Sequence, residues 1–594
     1  MNLPSRFAPF NRRFVGMLDQ LLIPLVVLLL ACISPVDCFA ANASIKRIGY
    51  TQQKINLRIS TQDLVNDRHR RSFRAVASSL SSDSNADDEA TNEIDGGLPG
   101  GAQNHVKDPG MWPRFDELDR RLIKISLPVI ANFAINPLIG AVDLFWVNRM
   151  GNALAVAGQA AANQVFNSAF WITSFLPAVT ATLIAKEKAQ GNEEGVQDAV
   201  CQAIFVGVFI ALVTTALCSA KPNQILSSVL SQDAPALEYA RPYLLIRTFA
   251  FVPSLISLVG FSAFRGVLDT VTPVKISLFA NLFNALLDPI LIFNMGMGVT
   301  GAALATLAAE LISCIMYLIL MRKRNMLSFR KLFMLPKWAR LEPLIRGGAA
   351  LQLRNVSLNV TFLAVARVTQ GIDKTGVAAA AHAMAIQGKR LADEKEYLYE
   401  SRLKMRYFRL LTWMFSTVFQ LGGIVLLALS TVAQTVVPTD MVERVDKTLN
   451  RPIGGKKYAK WTVNRLMSWG LLLGIGLGSL QLILLPFIQQ STPLQSVRDA
   501  SRTPAILASV YQIINGMVFI GEGVMVGSGS FLQLSMSTVI ATVGCLWALR
   551  AFPPIYGLTG VWMGFGVFNI LRLGGVFLHQ RFNGPLAPKN IEKA

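Results

Sequence analysis

Apolar residues in this chain come in long runs separated by short polar stretches. From Leu122 onward the runs cover 122–148, 154–184, 196–220, 241–264, 273–295, 299–321, 342–369, 376–440, 462–489, 504–527, 531–550 and 555–578. Crossing the hydrocarbon of a bilayer takes about 20 apolar residues in a helix. Only helices and closed barrels satisfy their own backbone there. The pattern predicts an all-α polytopic membrane protein with twelve transmembrane helices. Charge is concentrated in the loops that follow even-numbered runs. One carries Arg322, Lys323, Arg324, Arg330, Lys331, Lys337 and Arg340, and another Arg444, Lys447, Arg451, Lys456, Lys457 and Lys460. Both termini and the even loops are therefore expected on the positive-inside face.

Composition narrows the class. Of 594 residues, 52% are hydrophobic and 15% charged, with a mean hydropathy of +0.43. Soluble domains carry about 25% charged residues. A net charge of +20 would fit a nucleic-acid binder, but the Lys and Arg cluster in loops between apolar runs, so no nucleic-acid partner is expected. Cys32 and Cys38 lie in the leader, and Cys201, Cys218, Cys314 and Cys545 lie in apolar runs, so no disulfide framework is implied. The four His are scattered, and no metal site or cofactor is expected. A membrane-embedded enzyme would need a constellation such as H-E-x-x-H, which the chain lacks.

The first residues read as a leader. Arg6, Arg12 and Arg13 precede a short apolar core from Leu21 to Ile33, and Val36-Asp37-Cys38 follows, which makes 1–38 a signal peptide. Phe39 to Gln62 holds Lys46, Arg47, Lys54 and Arg58 without an acid, like a transit peptide. Together they resemble the two-part plastid presequence of algae with secondary plastids. The region 39–110 ends in a Ser, Asp, Gly and Asn stretch expected to be disordered. A plastid envelope is the expected location, with the secretory pathway or plasma membrane as the alternative. A reporter fused to residues 1–75 is expected to enter plastids, and Phe39→Ala to divert it to the secretory pathway. Imaging of both fusions checks this, and a shared destination would refute the transit reading.

Polar residues inside apolar runs carry the functional signal. Asn281, Asn284 and Asp288 share one run, with Asn284 and Asp288 one helical turn apart. An ionised Asp at bilayer depth costs about 2.5–3.5 kcal/mol and usually marks an ion or substrate path. An interhelical hydrogen-bond clamp is the plainer alternative. Asp143 is a second acid in an apolar run, and two such carboxyls close together would titrate as a pair. Glu522 lies in the tenth run, either as a second-bundle site or as a packing acid satisfied by Arg354. Arg265 and Asp269 are expected to pair in a loop, and His382 to be a packing residue. Gly298-Val299-Thr300-Gly301 is echoed by Gly557-Leu558-Thr559-Gly560, and Ala162-Asn163-Gln164 by Ala385-Ile386-Gln387. The repeat predicts two pseudo-symmetric six-helix bundles, 111–321 and 342–582, joined by the basic loop 322–341 and followed by a tail, 583–594. Duplicated bundles with polar residues at mid-depth are a transporter architecture.

Four stretches resemble the multidrug and toxic compound extrusion (MATE) family, in its DinF-like branch. They are Asn136 to Gly151, Phe264 to Pro273, Asn284 to Thr306 and, more weakly, Thr375 to Gln387. The resemblance covers about 116–582. It implies a cation-coupled antiporter, driven by protons or sodium, that exports small organic compounds by alternating access. It also implies a cation site at Asp143, Asn284 and Asp288, with Thr306 hydrogen-bonded to that network. The chain departs from the pattern at Asn136, where relatives often have Asp. Small organic substrates and membrane lipids are the expected partners, and a monomer the expected state. The alternatives are a lipid-linked sugar flippase of the same superfamily and a non-transporting membrane scaffold.

The eighth run is interrupted by 388–417, which brings seven Lys or Arg and four acids. Hydrocarbon does not accept them in a spanning helix. Removing the block joins Gln387 to Val418, restores an apolar run and brings the repeat offsets into near agreement. Its ends can be encoded by splice-site sequences, and its length keeps the reading frame. A retained intron is the expectation and a surface-helix insertion the alternative. Sequencing of mature transcripts checks it: the codons are expected to be absent, and their presence in every message would refute the intron.

Overall fold

The computed structural model describes residues 110–594 except 232–233, 333, 335, 337, 373–377, 379–381, 383–422, 447–450, 490–494 and 593–594. The leader, the transit-like region and the block 388–417 lie outside the described residues, as does the side chain of Asn136.

Every expected apolar run contains helix. The first bundle comprises α1 (Glu117–Arg149), α2 (Ala153–Trp171), α3 (Phe175–Ala189), α4 (Glu193–Ala220), α5 (Leu237–Phe249), α6 (Phe251–Gly266), α7 (Val271–Pro289) and α8 (Gly298–Lys323). The second comprises α9 (Trp338–Ile372), α10 (Gly423–Asp440), α11 (Lys456–Gln489), α12 (Gln495–Gly527), α13 (Phe531–Ala551) and α14 (Pro553–Leu578). Nine helical segments among the described residues are long and apolar enough to cross a membrane, ten when the bent pair α5 and α6 is counted as one span. The two remaining helices of spanning length, α1 and α9, carry more charge. The loop after α10 holds a small antiparallel hairpin that pairs Arg444 with Ile453.

Local chemistry sets the boundaries. Asp116 caps α1 by accepting from the Asp119 N–H, and Asn152 and Asn192 cap α2 and α4 in the same way. The break between α5 and α6 bends the chain by 49° at Ala250. Pro253 explains it, because it has no N–H for the Phe249 carbonyl. The two glycine motifs are built alike. Gly298 opens α8 and Gly557 breaks α14 near its start, at φ +58° and +55°, a conformation that disfavours other residues. Three residues on, a Cβ on Gly301 would meet the Leu291 backbone at 2.8 Å, and one on Gly560 the Phe552 carbonyl at 2.4 Å. Each helix start is thus laid directly over the turn before it.

Packing divides the molecule by depth. At the basic end, apolar clusters cross between bundles. Leu118, Leu122, Ile125 and Val129 of α1 pack with Val432, Val436, Val463 and Ile520. Leu176 and Val179 join a cluster that includes Met525, Leu534 and Leu351. At the opposite end each bundle has its own core among the described residues. Val147, Ala155, Ile292 and Val299 belong to one, and Val365, Ala541, Leu549 and Val561 to the other. The bundles are therefore joined at the basic face and packed separately at the other.

Candidate functional site

Helix α7 shows how the sequence builds its site. Pro273, Ile276, Ala280, Asn284 and Asp288 are its buried residues, one every turn or so, while Leu278, Leu282, Leu286 and Phe293 face outward to lipid. The polar pair therefore continues the buried stripe. Asn281 is half-buried beside it. Pro289 ends the regular helix, and Ile290–Asn294 forms a π turn directly after Asp288. Such turns recur at functional sites.

The three residues expected to form the cation site come together. Asn284 Nδ2 donates to Asp143 Oδ1 at 2.7 Å. The Asp288 and Asp143 carboxyls are close enough to act on each other electrostatically. Asp288 is fully buried, and neither of its oxygens has a protein donor. The Asn284 carbonyl oxygen is likewise without a partner. Three oxygen-bearing groups on two helices thus face one another with too few protons among them. A proton or a small cation shared by the carboxyls would relieve that. Asp143 and Asp288 each lie six residues before the end of their helical segment, so the cluster is roughly 9 Å below the end away from the basic face.

Thr306 makes a different bond from the one the resemblance implies. Its hydroxyl donates to the Ala302 carbonyl one turn back, at 2.9 Å. A threonine in an apolar helix satisfies itself in this way.

Arg247 and Glu310 escaped the sequence reading. Arg247 is 8% exposed, and its guanidinium carbon lies 4.0 Å from the centre of the Phe166 ring. Its Nε and Nη1 have no protein acceptor. Its charge acts on both Asp143 and Glu310. One turn earlier, Tyr243 donates to Asn163 Oδ1 at 3.1 Å. The signal was available: an Arg within a run, six residues before Pro253.

In the second bundle Glu522 is held by two cations. Arg354 Nη2 bonds one carboxylate oxygen, and Arg572 Nε bonds the other at 2.8 Å. Asn355, beside Arg354, donates to Ser174 Oγ of the first bundle at 2.7 Å. Glu522 is five residues from the basic end of α12, so the two clusters occupy opposite depths. Arg354 was foreseen as a partner and Arg572 was not.

The expected Arg265–Asp269 pair is not formed. Asp269 caps the loop by accepting from Thr272 N–H at 3.0 Å and pairs with Arg324 at 3.1 Å. Arg265 is buried on α6, over the Phe261 ring and donating to the Pro177 carbonyl at 3.4 Å. It lies on the helix interior face, while Asp269 follows the turn at Leu268, whose φ is +63°. His382 is half-buried, with its ring edge-on to Trp562 at 5.7 Å. Among the described residues no three His, Cys, Asp or Glu side chains form a metal-binding group.

Two helical bundles, the first of them holding paired acids at bilayer depth, have the architecture of a membrane carrier. The MatE family model matches residues 128–290. Protein DETOXIFICATION 44, chloroplastic, of Arabidopsis thaliana is 25% identical over 484 residues, covering 79% of this chain and 83% of that protein. DNA damage-inducible protein F of Escherichia coli is 26% identical over 341 residues, 53% of this chain and 73% of that one. The solved structure described as the outward-facing conformation of a multidrug resistance MATE family transporter of the MOP superfamily has a TM-score of 0.64 at 16% identity. It covers 81% of this chain and 98% of its own. The chain carries a MatE family match in its first bundle, is similar to these relatives along most of its length, and shares the fold of the MATE transporter structure. It is an integral membrane protein, and two of the Arabidopsis thaliana relatives, DETOXIFICATION 44 and 45, are named as chloroplastic.

Proposed function

We propose that the protein is a cation-coupled antiporter that exports small organic compounds by alternating access, with Asp143, Asn284 and Asp288 as the coupling site. The observation that carries this is the meeting of two carboxyls and an amide inside the membrane, with Asp288 fully buried and unpartnered. Binding a proton or sodium removes one of the pair's two negative charges, and its release leaves two like charges close together. The two states differ in free energy of local packing, which is what lets an ion bias a conformational equilibrium. The division of packing by depth supports the same reading, because the site lies in the half where the bundles have separate cores. The acids also favour this reading over a lipid-linked sugar flippase, for which a cationic cavity is expected.

The test is efflux from proteoliposomes under imposed pH and sodium gradients. Organic-cation dyes serve as substrates. Efflux that follows one of the gradients is the expected result. Efflux indifferent to both, with protein oriented and folded, would refute coupling.

A further inference from the structure

We propose that two buried ion-pair clusters between α1 and the second bundle form a charge lock that closes the basic face, and that inward opening requires its release. The inference rests on the alternating-access reading above for its role in the cycle. Its geometry stands separately. Arg465 of α11 is fully buried and reaches Asp119 at 2.6 Å and Asp116 at 2.8 Å. Asp119 is also fully buried and accepts from Trp469 Nε1 at 2.7 Å and from the N–H groups of Arg114 and Phe115, both at 2.8 Å. Arg121 forks onto Asp440 at the end of α10, with contacts of 3.1 and 2.8 Å, and Asp440 is fully buried. Thr462 donates to the same carboxylate at 2.8 Å, and Arg444 stands 3.8 Å away.

Position gives these pairs their meaning. Asp116, Asp119 and Arg121 belong to the first helix of the first bundle. Asp440, Thr462, Arg465 and Trp469 belong to the second bundle. The pairs lie at the end of the molecule where apolar clusters cross between bundles, and they flank one of those clusters. A path cannot open at this face without parting α1 from α10 and α11. Ion pairs suit such a seam better than more apolar contact. Closed, each charge is neutralised and dry. Parted, each charge enters water at the basic face and is solvated there, so the seam can be remade. Planar, bidentate Arg–carboxylate geometry also fixes the register at which the bundles meet. The competing reading is a permanent staple that carries the start of α1 along with the second bundle through the whole cycle.

Labelling of a buried seam residue separates the two. Ile125 lies one turn beyond Arg121 and is packed against the second bundle. The full chain carries Ile125→Cys in a background with its native cysteines changed to alanine, and is reconstituted in vesicles. A membrane-impermeant maleimide is applied from the basic face. Arg465→Gln and Arg121→Gln are each expected to raise the labelling rate about tenfold, because loss of one partner leaves a buried charge uncompensated. Should Arg465→Gln fail to fold, the half-exposed Arg121 carries the test. Asp440→Asn combined with Arg121→Gln is expected to label no faster than the single variants, because the two residues act as one pair. Parent-like labelling in a folded neutral variant, or effects that simply multiply, would overturn the lock. Failure of the coupling reading registers elsewhere. Asp288→Asn keeps the lock, so normal transport in that variant would sink the coupling site and leave the labelling result standing.

Discussion

Asp288→Asn loses cation-driven efflux while inserting and folding like the parent. Asp288 is fully buried and faces Asp143 with neither oxygen receiving a protein hydrogen bond. The ionised carboxyl costs about 2.5–3.5 kcal/mol at bilayer depth, so removing it carries no folding penalty from lost solvation. The new amide has two N–H groups, with the Asp143 carboxyl close by. The variant therefore holds permanently the arrangement that ion binding produces in the parent. Stability is expected to match or exceed that of the parent, and coupled efflux to fall to background. Thermal unfolding in detergent and gradient-driven efflux in proteoliposomes measure the two halves of this expectation. Parent-like efflux would remove Asp288 from the coupling site. A collapsed melting temperature would mean that Asp288 serves as an interhelical clamp.

Glu522→Gln is expected to act in the opposite sense, costing fold rather than coupling. Its carboxylate joins Arg354 of α9 and Arg572 of α14 to α12. Breaking a buried ion pair from one side costs about 3–5 kcal/mol, because the remaining charge stays dry and uncompensated. Here two guanidinium groups are left, and Arg572 is 5% exposed. The melting temperature of the detergent-solubilised variant should drop by many degrees, and the protein that remains folded should keep the parent's ion dependence. A shifted dependence on pH or sodium, with little change in stability, would instead make Glu522 a second coupling residue. Two cations on one acid favour the packing role. An acid that exchanges a proton or sodium ion needs room for it, and both Glu522 oxygens are already taken by nitrogen donors.

The chain by itself determined the membrane class and the helical segments, and it pointed to Asp143, Asn284 and Asp288, which the structure brings together. The reason is that hydrocarbon is an unforgiving solvent. Runs of apolar residues long enough to cross it stand out, and an Asp such as Asp143 or Asp288 inside one has few roles open to it. The paired glycines at 298 and 557 were legible because a left-handed residue at or near a helix start admits little else. Tertiary structure alone decided what the margins of those runs do. Asp119, Asp440 and Arg465 lie at or near segment ends, where sequence logic places hydrated charge. Packing of α1 on the second bundle makes all three fully buried. Tertiary structure also chose the partner of Asp269, which is Arg324 of another loop rather than its near neighbour Arg265. Arg247 and Arg572 were passed over for a related reason: near a segment end, an arginine long enough to reach the interface is the ordinary case. Which charges are wet depends on how neighbouring helices meet at the membrane boundary, and that is a property of the assembled bundles.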